Sequence, residues 1–204
     1  MNGNKPLQLQ KVAEADFPTE YGHFRIHGFE GTRGEEIEEV VAIVMGDISG
    51  PEPVLVRIHS QCLTGDVFHS LRCDCRAQLE LAIETVASSG RGMVIYEQME
   101  GRGIGLLNKL RAYELQDAGA DTVDANEQLG FEADLRAYEA PAAVLNHFGV
   151  QCVRLMTNNP EKISALEEEG IRVVERIPCQ VQRSDESDTY MRTKKDRMGH
   201  LLDL

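Results

Sequence analysis

The sequence contains no apolar run long enough to cross a membrane, and no basic segment followed by an apolar one near residue 1. It also lacks a paired set of cysteines, since there are five in 204 residues. An odd count without an export signal argues against a disulfide framework. These absences predict a cytoplasmic protein with free or metal-bound thiols and no membrane partner. A chain of this length buries a sizeable core without disulfides.

Positive charge is scarce. The 21 Lys and Arg residues face 34 Asp and Glu residues, and the formal net charge is −13. This balance argues against a nucleic-acid partner, which requires a broad basic face. It leaves room for an anionic small substrate, because positive residues recur near the segments described below. Taken singly, most of these residues are expected to be solvated surface charges. They are Arg57, Arg72, Arg102, Lys109, Arg111, Arg136 and Lys162.

The chain shows no internal repeat and no low-complexity linker, which predicts one domain over residues 7–204 after a flexible tail at residues 1–6. Short β-prone runs come first, and strands then alternate with helical patterns. From Leu79 onward, apolar residues recur at i, i+3, i+4 and i+7, which predicts a helix over Cys75–Ser89. The order of elements predicts an α+β (mixed α/β) fold with a mixed β-sheet core flanked by helices.

The remaining predicted elements follow from the same patterns. The predicted strands are His23–Phe29, Val40–Val44, Val54–His59, Met93–Tyr96, Cys152–Met156 and Ile171–Arg176. The other predicted helices are Ile104–Asp117, one from about Pro141 to Gly149, one from Asn158 to Gly170, and one from about Thr189 to Leu202. The acidic stretch Gly34–Glu39 is predicted to be a loop.

Cys62, Cys73 and Cys75 lie close together in the segment RIHSQCLTGDVFHSLRCDCRAQLELA. Converging thiolates suit Zn²⁺, which prefers four tetrahedral ligands. No fourth cysteine lies nearby, and an unfilled fourth position is typical of catalytic zinc. The alternative is three buried free thiols acting as small hydrophobes, which the polar, turn-rich setting disfavours. Cys152 and Cys179 lie in apolar contexts and are predicted to be core residues.

A glycine-rich segment, EGRGIG, leads from Glu100 directly into a predicted helix. Glycines allow close backbone approach to a ligand, and a helix N-terminus binds anions. By itself this pattern favours an ordinary loop-to-helix turn. Glu100 and Arg102 shift the balance toward binding, because a carboxylate accepts from a guanine-type N–H edge and a guanidinium donates to carbonyl or phosphate oxygens.

Two further segments are ambiguous on their residues alone. TNNPEK, beginning at Thr157, stands at a strand end entering a helix, where α/β sheets tend to bind ligands. Asp134 and Arg136 form an Asp-x-Arg pair. That pair is compatible with a surface ion pair worth about 0–1 kcal/mol.

Taken together, RIHSQCLTGD, LRCDC, QMEGRGIGLLNK, RAYELQDAGADTVDANEQLGF and LMTNNPEK resemble GTP cyclohydrolase II, the first committed enzyme of riboflavin biosynthesis. The resemblance runs from about Gln8 to Leu202 and is to the single-domain form. It implies a zinc-dependent hydrolase that opens the imidazole ring of GTP and releases formate and pyrophosphate. The implied product is 2,5-diamino-6-(5-phosphoribosylamino)pyrimidin-4(3H)-one. A homodimer, one Zn²⁺ per subunit and Mg²⁺ with the triphosphate are also implied.

The resemblance assigns roles to individual residues. Cys62, Cys73 and Cys75 would hold the zinc. Tyr113 would give or take a proton during ring opening, although on its own it fits a core aromatic on a helix face. Asp134 would be the proton acceptor. Arg136 would be the nucleophile on the α-phosphorus. The nucleotide-binding positions would be Arg57, Ile58, His59, Ser60, Gln61, Gln78, Glu100, Gly101, Arg102, Thr122, Thr157 and Lys162.

Two of these assignments carry a physical argument of their own. A guanidinium with a pKa above about 12 is a poor nucleophile, so stabilising transition-state charge is the easier role for Arg136. Glu100 is expected to select guanine, because a site built to pair a substrate N–H rejects analogues that lack it.

The chain departs from the family pattern at two places beside the cysteines. Gln61 stands where the family commonly has a glutamate, and Arg76 follows Cys75 where a glycine is usual. Both changes favour the approach of a polyanion. They also leave open a paralogous cyclohydrolase that stops at a formamidopyrimidine or accepts another purine nucleotide. A non-catalytic zinc- or nucleotide-binding relative is the third alternative, which the presence of Tyr113, Asp134 and Arg136 disfavours.

Overall fold

The computed structural model describes residues 6–34, 36–131, 138–181 and 185–203. Within these residues, seven strands form one mixed sheet in the order β1-β2-β3-β5-β4-β6-β7. The strands are β1 (Gln8–Thr19), β2 (Gly22–Arg33), β3 (Glu36–Met45), β4 (Val54–Ser60), β5 (Gly92–Glu97), β6 (Cys152–Met156) and β7 (Arg172–Ile177). The predicted mixed α/β fold with a single sheet is confirmed.

Helices connect the strands and flank the sheet. They are α1 (Leu63–Asp66), α2 (Cys75–Ser89), α3 (Leu106–Asp117), α4 (Thr122–Gln128), α5 (Glu139–His147), α6 (Pro160–Glu168) and α7 (Asp185–Met198), with a 3₁₀ turn at Glu100–Gly103. None of the helices in the described part of the chain is long and apolar enough to cross a membrane.

The sheet has an antiparallel half and a parallel half. β1, β2 and β3 pair in antiparallel order, and β3 pairs antiparallel with β5. β5, β4, β6 and β7 then run parallel to one another. Parallel neighbours need crossover connections, which α2 provides between β4 and β5 and α6 provides between β6 and β7. The carboxyl ends of four strands therefore meet at one edge of the sheet.

The central strands are buried because both of their faces are covered. β4 is buried along its length except at Ser60, and its sequence VLVRIHS begins with an apolar run and carries two buried polar residues, Arg57 and His59. Such runs are typical of parallel strands covered on both faces. One apolar cluster includes Phe29, Ile58 and Leu145. A smaller cluster includes Phe24 and Val86.

Several predictions about local structure were incomplete or wrong. The last helix runs from Asp185 to Met198, not from Thr189 to Leu202. β1 was missed because its polar sequence QLQKVAEADFPT pairs only with β2 and stays largely exposed. The loop predicted at Gly34–Glu39 is too long, because β3 begins at Glu36 and pairs with β2. Cys152 is only half-buried, and the Arg172 guanidinium lies 3.0 Å from its Sγ, so it is not a core residue. Cys179 is fully buried, as predicted.

Candidate metal centre and nucleotide pocket

The Sγ atoms of Cys62, Cys73 and Cys75 all lie within 4.8 Å of one another, and those of Cys62 and Cys73 are 3.7 Å apart. Three sulfurs bound to one tetrahedral Zn²⁺ at about 2.3 Å would be about 3.8 Å apart. Cys62 lies two residues after the end of β4, and Cys75 is the first residue of α2, so two elements of the core fix the cluster. The geometry suits one metal ion with a fourth position left for another ligand.

Gly65, in α1, lies so close to the cysteine sulfurs that they leave no room for a side chain at this position. An ideal Cβ at this position would lie 2.9 Å from the Sγ of Cys73 and 3.1 Å from the Sγ of Cys62. Real Cβ contacts are almost never that short, so any side chain at position 65 would displace the thiols. The donor set and this close approach both fit a zinc ion bound by the cysteines.

Lys109, on α3, supplies positive charge beside the thiolates. Its Nζ lies 3.1 Å from the Sγ of Cys62 and 2.8 Å from Oε1 of Glu100. Burial disfavours the charge of Lys109, but Cys62 and Glu100 outweigh it and raise the pKa of the ammonium above its usual value. Glu100 also accepts from the backbone N–H of Leu63 at 2.6 Å, which joins the glycine-rich loop to the cysteine loop.

Asp66 holds the backbone of Cys62 in place. Its Oδ2 accepts from the backbone N–H of Cys62 at 3.0 Å and from the hydroxyl of Tyr96 at 2.8 Å. Both carboxylate oxygens lie 3.1 Å from Nε2 of His59. Burial lowers the pKa of His59 although Asp66 opposes the shift. A neutral His59 that donates from Nε2 therefore holds Asp66, and Asp66 holds Cys62.

The three thiols differ in acidity. Hydrogen bonds from Cys73 and Cys75, with help from Lys109, hold the pKa of the Cys62 thiol far below its usual value. The bond to Cys62 raises the pKa of Cys73 to about 11, and the pKa of Cys75 is also raised. The protein thus prepares one thiolate, and a divalent cation would supply the charge needed to ionise the others.

Thr64 lies between the hydroxyl of Tyr113 and the cysteine cluster. Its hydroxyl is 3.2 Å from Oγ1 of Thr64, which is itself 3.7 Å from the Sγ of Cys62. The Arg72 guanidinium lies 4.8 Å from the centroid of the tyrosine ring. Burial raises the pKa of Tyr113 although the bond to Thr64 opposes the shift. Tyr113 is therefore a protonated phenol that can donate a proton.

A concave pocket opens at the carboxyl edge of the parallel strands, where α/β sheets bind ligands. The segments after β4, β5 and β6 line it together with α2 and α3. Fifteen of the residues predicted from the sequence lie on its wall: Arg57, His59, Ser60, Gln61, Cys62, Cys73, Cys75, Gln78, Glu100, Gly101, Arg102, Tyr113, Thr122, Thr157 and Lys162.

The remaining three predicted residues are Ile58, Asp134 and Arg136. Ile58 is fully buried in the larger apolar cluster, and only its carbonyl oxygen turns toward the site, where it accepts from Nζ of Lys162 at 2.9 Å. Asp134 and Arg136 lie outside the described residues.

Several buried polar atoms of the pocket wall have no hydrogen-bond partner within the described part of the chain. They belong to Arg57 (Nε), His59 (Nδ1), Arg102 (one guanidinium nitrogen) and Asn159 (Nδ2). Buried polar groups in proteins are nearly always paired, so these atoms of the pocket wall are available to a ligand or to water. Arg102 also adopts a left-handed φ of 61°, a strained backbone conformation of the kind that clusters at binding sites.

The pocket includes residues that the sequence did not single out as site residues. The sequence could have identified Lys109 as a site residue, because it stands four residues before Tyr113 and thus shares a helix face with it. Asn159 immediately precedes α6, and its Oδ1 caps the N–H of Glu161 while Nδ2 stays free for a ligand. Tyr190, Lys194 and His200 come from the C-terminal segment and had no local signal.

The sequence matches the family model of GTP cyclohydrolase II over residues 10–178. The chain belongs to the GTP cyclohydrolase II family. A Shewanella amazonensis protein named GTP cyclohydrolase-2 is 53% identical over 196 residues, which are 96% of this chain and 95% of that protein. A Shewanella oneidensis protein of the same name is also 53% identical over 196 residues, covering 96% of both. The resemblance found in the sequence is thereby confirmed.

A solved structure titled as RibBX, a two domain 3,4-dihydroxy-2-butanone 4-phosphate synthase from A. baumannii, covers 86% of this chain and 41% of that one. Its TM-score is 0.48 at 17% identity, and the GTP cyclohydrolase II assignment does not draw on it. The family match ends at residue 178, so α7 lies beyond it.

Proposed function

We propose that this protein hydrolyses GTP, opens its imidazole ring with release of formate and pyrophosphate, and so begins riboflavin biosynthesis. One observation carries the proposal: in a chain of the GTP cyclohydrolase II family, the three clustered cysteines form part of the wall of a cation-rich pocket. The product would be 2,5-diamino-6-(5-phosphoribosylamino)pyrimidin-4(3H)-one.

Cys62, Cys73 and Cys75 would hold one Zn²⁺ per subunit. When bound, zinc would supply the Lewis acid that activates water for attack at C8 of the purine. The protonated hydroxyl of Tyr113 would donate to the nitrogen released as the ring opens, because Thr64 alone links that hydroxyl to Cys62. Asp134 and Arg136 are proposed to accept a proton and to stabilise charge at the α-phosphate.

The cationic side of the pocket would bind the triphosphate. Arg57 and Lys162 are both buried on this wall, at 6% and 4% exposure, and hydrogen bonds from a cationic side chain to phosphate oxygens are stronger than those from neutral donors. Arg102 adds a guanidinium nitrogen without a partner among the described residues. Mg²⁺ would accompany the phosphates, as it commonly does in nucleotide sites. We also propose a cytoplasmic homodimer, as the family resemblance implies.

Glu100 is proposed to recognise the N–H edge of guanine. Most of the acceptor positions of its carboxylate are already occupied, which limits how many N–H groups it can bind. A carboxylate offers about four acceptor positions. Oε1 already accepts from Lys109 and from the backbone N–H of Gly101, and Oε2 accepts from Leu63. One position on Oε2 is left, so Glu100 can accept one further N–H of guanine while it keeps Lys109 in place.

The test is incubation of the purified protein with GTP, Mg²⁺ and Zn²⁺, followed by separate measurement of formate, pyrophosphate and the pyrimidine product. Cys73→Ser should lose bound zinc and formate release together, whereas Cys152→Ser should change neither because it lies away from the pocket. Formate production without bound metal would contradict the proposal. Pyrophosphate release without formate would identify the formamidopyrimidine alternative, and nucleotide binding without any product would identify a non-catalytic relative.

A further inference from the structure

We infer that the C-terminal segment from α7 to Asp203 forms one wall of the nucleotide pocket, and that Lys194 positions the turn carrying Cys73 and Cys75. This inference rests on the proposed function, because it assigns new residues to the same site. The segment lies beyond the part of the chain matched by the family model.

The segment is anchored to the rest of the fold at several points. Met191 is fully buried and Leu202 is 5% exposed. The backbone N–H of Leu201 donates to the carbonyl oxygen of Asn158 at 2.8 Å, in the turn after β6. Arg197 pairs with Asp124, on α4, at 2.7 Å. These contacts hold α7 against two segments of the pocket wall.

Lys194 reaches from α7 to the metal centre. Its Nζ lies 3.0 Å from Oδ1 of Asp74, and the two side chains are 11% and 5% exposed. Asp74 stands between Cys73 and Cys75 and is the N-terminal cap residue of α2. Without Lys194, the buried carboxylate between the two cysteines would have no ion-pair partner among the described residues, and its repulsion would displace the turn that carries them.

The contact continues inward through a chain of hydrogen bonds. Asp74 accepts from Nε2 of Gln78, and Oε1 of Gln78 accepts from Arg57 at 2.8 Å. Arg57 also donates to the carbonyl oxygen of Met156 at the end of β6, at 3.0 Å. Lys194 is thus the outer end of a buried chain that links the cysteine turn with two predicted GTP-binding side chains.

A second contact joins α7 to the glycine-rich loop. The ring of Tyr190 lies near two cations, with Nζ of Lys194 4.3 Å and the guanidinium carbon of Arg102 6.0 Å from its centroid. Tyr190, Lys194 and His200 all line the pocket. The C-terminal segment therefore contacts both the glycine-rich loop and the turn that carries Cys73 and Cys75.

The experiment compares Lys194→Met with Lys194→Arg and with Arg192→Ala as a matched control, since Arg192 is on the same helix and pairs with Asp188 at an exposed site. Three quantities are measured on zinc-loaded protein: the rate of zinc loss to a chelator, the Kd for a non-hydrolysable GTP analogue, and kcat and KM for GTP. Lys194→Met should lose zinc several-fold faster and bind the analogue about tenfold more weakly. Lys194→Arg should retain most of both properties.

A double variant separates positioning from stability. Asp74→Asn with Lys194→Met removes both charges, so it should restore folding and slow zinc loss again if Lys194 acts through Asp74. Zinc loss and analogue binding equal to those of Arg192→Ala would overturn the inference. So would a change confined to the melting temperature. Failure of the wild-type protein to release formate from GTP would refute the proposed function instead, and the zinc measurement would still decide the role of Lys194.

Discussion

The ammonium of Lys109 is 3.1 Å from the Sγ of Cys62, so a positive charge contacts a predicted zinc ligand directly. Three thiolates on Zn²⁺ leave a net charge of −1, which weakens the metal as a Lewis acid. A charge-assisted N–H···S bond draws electron density from one sulfur and opposes that effect. Glu100, 2.8 Å from the same ammonium, keeps Lys109 in place.

Replacing Lys109 with Met should weaken zinc binding by about 10- to 100-fold, the range seen for residues that support metal ligands. Competition with a chromogenic chelator measures the affinity, and the thiolate-to-metal bands of a Co²⁺-substituted sample report the ligand environment. Lys109→Arg should retain most of the affinity. Arg111→Met, an exposed change on the same helix, is the control. Equal affinity for Lys109→Met and Arg111→Met would refute the role of the ammonium.

Gly65→Ala should abolish zinc binding while the fold is retained. The added methyl would lie 2.9 Å from the Sγ of Cys73, and the sulfurs have to move apart to admit it. Gly28→Ala is the matched control, because its Cβ would make only an ordinary contact of 3.8 Å with Val12. Zinc content after dialysis, measured beside the circular dichroism spectrum, separates the two outcomes. A zinc-loaded Gly65→Ala protein would show that the thiols have more room than the structure gives them.

Elements with a strong local pattern could be predicted from the sequence. The helix over Cys75–Ser89 has the same bounds in the structure, because its apolar face and terminal Gly90 are both visible in the sequence. The strand Cys152–Met156 was also predicted with the observed bounds. β1 could not be recognised, since its polar residues become a strand only through pairing with β2.

The cysteine cluster was predictable for a related reason. Cys73 and Cys75 are close in sequence, and their cysteine side chains carry the chemistry themselves. Residues that act through long-range contacts left no such signal. Lys194 meets Asp74 across 120 residues, and only the folded chain shows that pair. Local patterns therefore identify ligands, while the residues that position them depend on tertiary structure.

Acidic pH should destabilise the fold partly through His27. Burial lowers the pKa of His27, and the neighbouring carboxylate of Glu14 opposes the shift while Lys11, Arg25 and His147 add to it. The unfolded chain then binds the proton more readily, so the free energy of unfolding falls as the pH drops below about 6.5. Chemical denaturation between pH 7.5 and 5.5 should show a shallower decline for His27→Gln than for the wild type. An unchanged slope would exclude this contribution.

Tyr113→Phe should impair formate release more than pyrophosphate release, because the phenol can serve ring opening but has no role in breaking the phosphoanhydride. A loss of about 10²- to 10⁴-fold is expected for a proton donor. Separate assays of the two products after rapid quenching provide the measurement. Tyr21→Phe, at the turn between β1 and β2, should leave both rates unchanged. Equal loss of the two products in Tyr113→Phe would remove its proposed role in ring opening.

Glu100 should discriminate among purines through its one remaining acceptor position. ATP has no N–H at N1 and no 2-amino group, so kcat/KM for ATP should be lower than for GTP by about 10⁴-fold or more. ITP retains the N1 proton and lacks the 2-amino group, so a kcat/KM for ITP close to that for GTP would identify the N1 proton as the partner of Oε2. Glu100→Gln should reduce the preference for GTP and also weaken zinc binding, because the amide no longer balances Lys109, 2.8 Å away. Full selectivity in a zinc-loaded Glu100→Gln protein would assign guanine recognition to another residue.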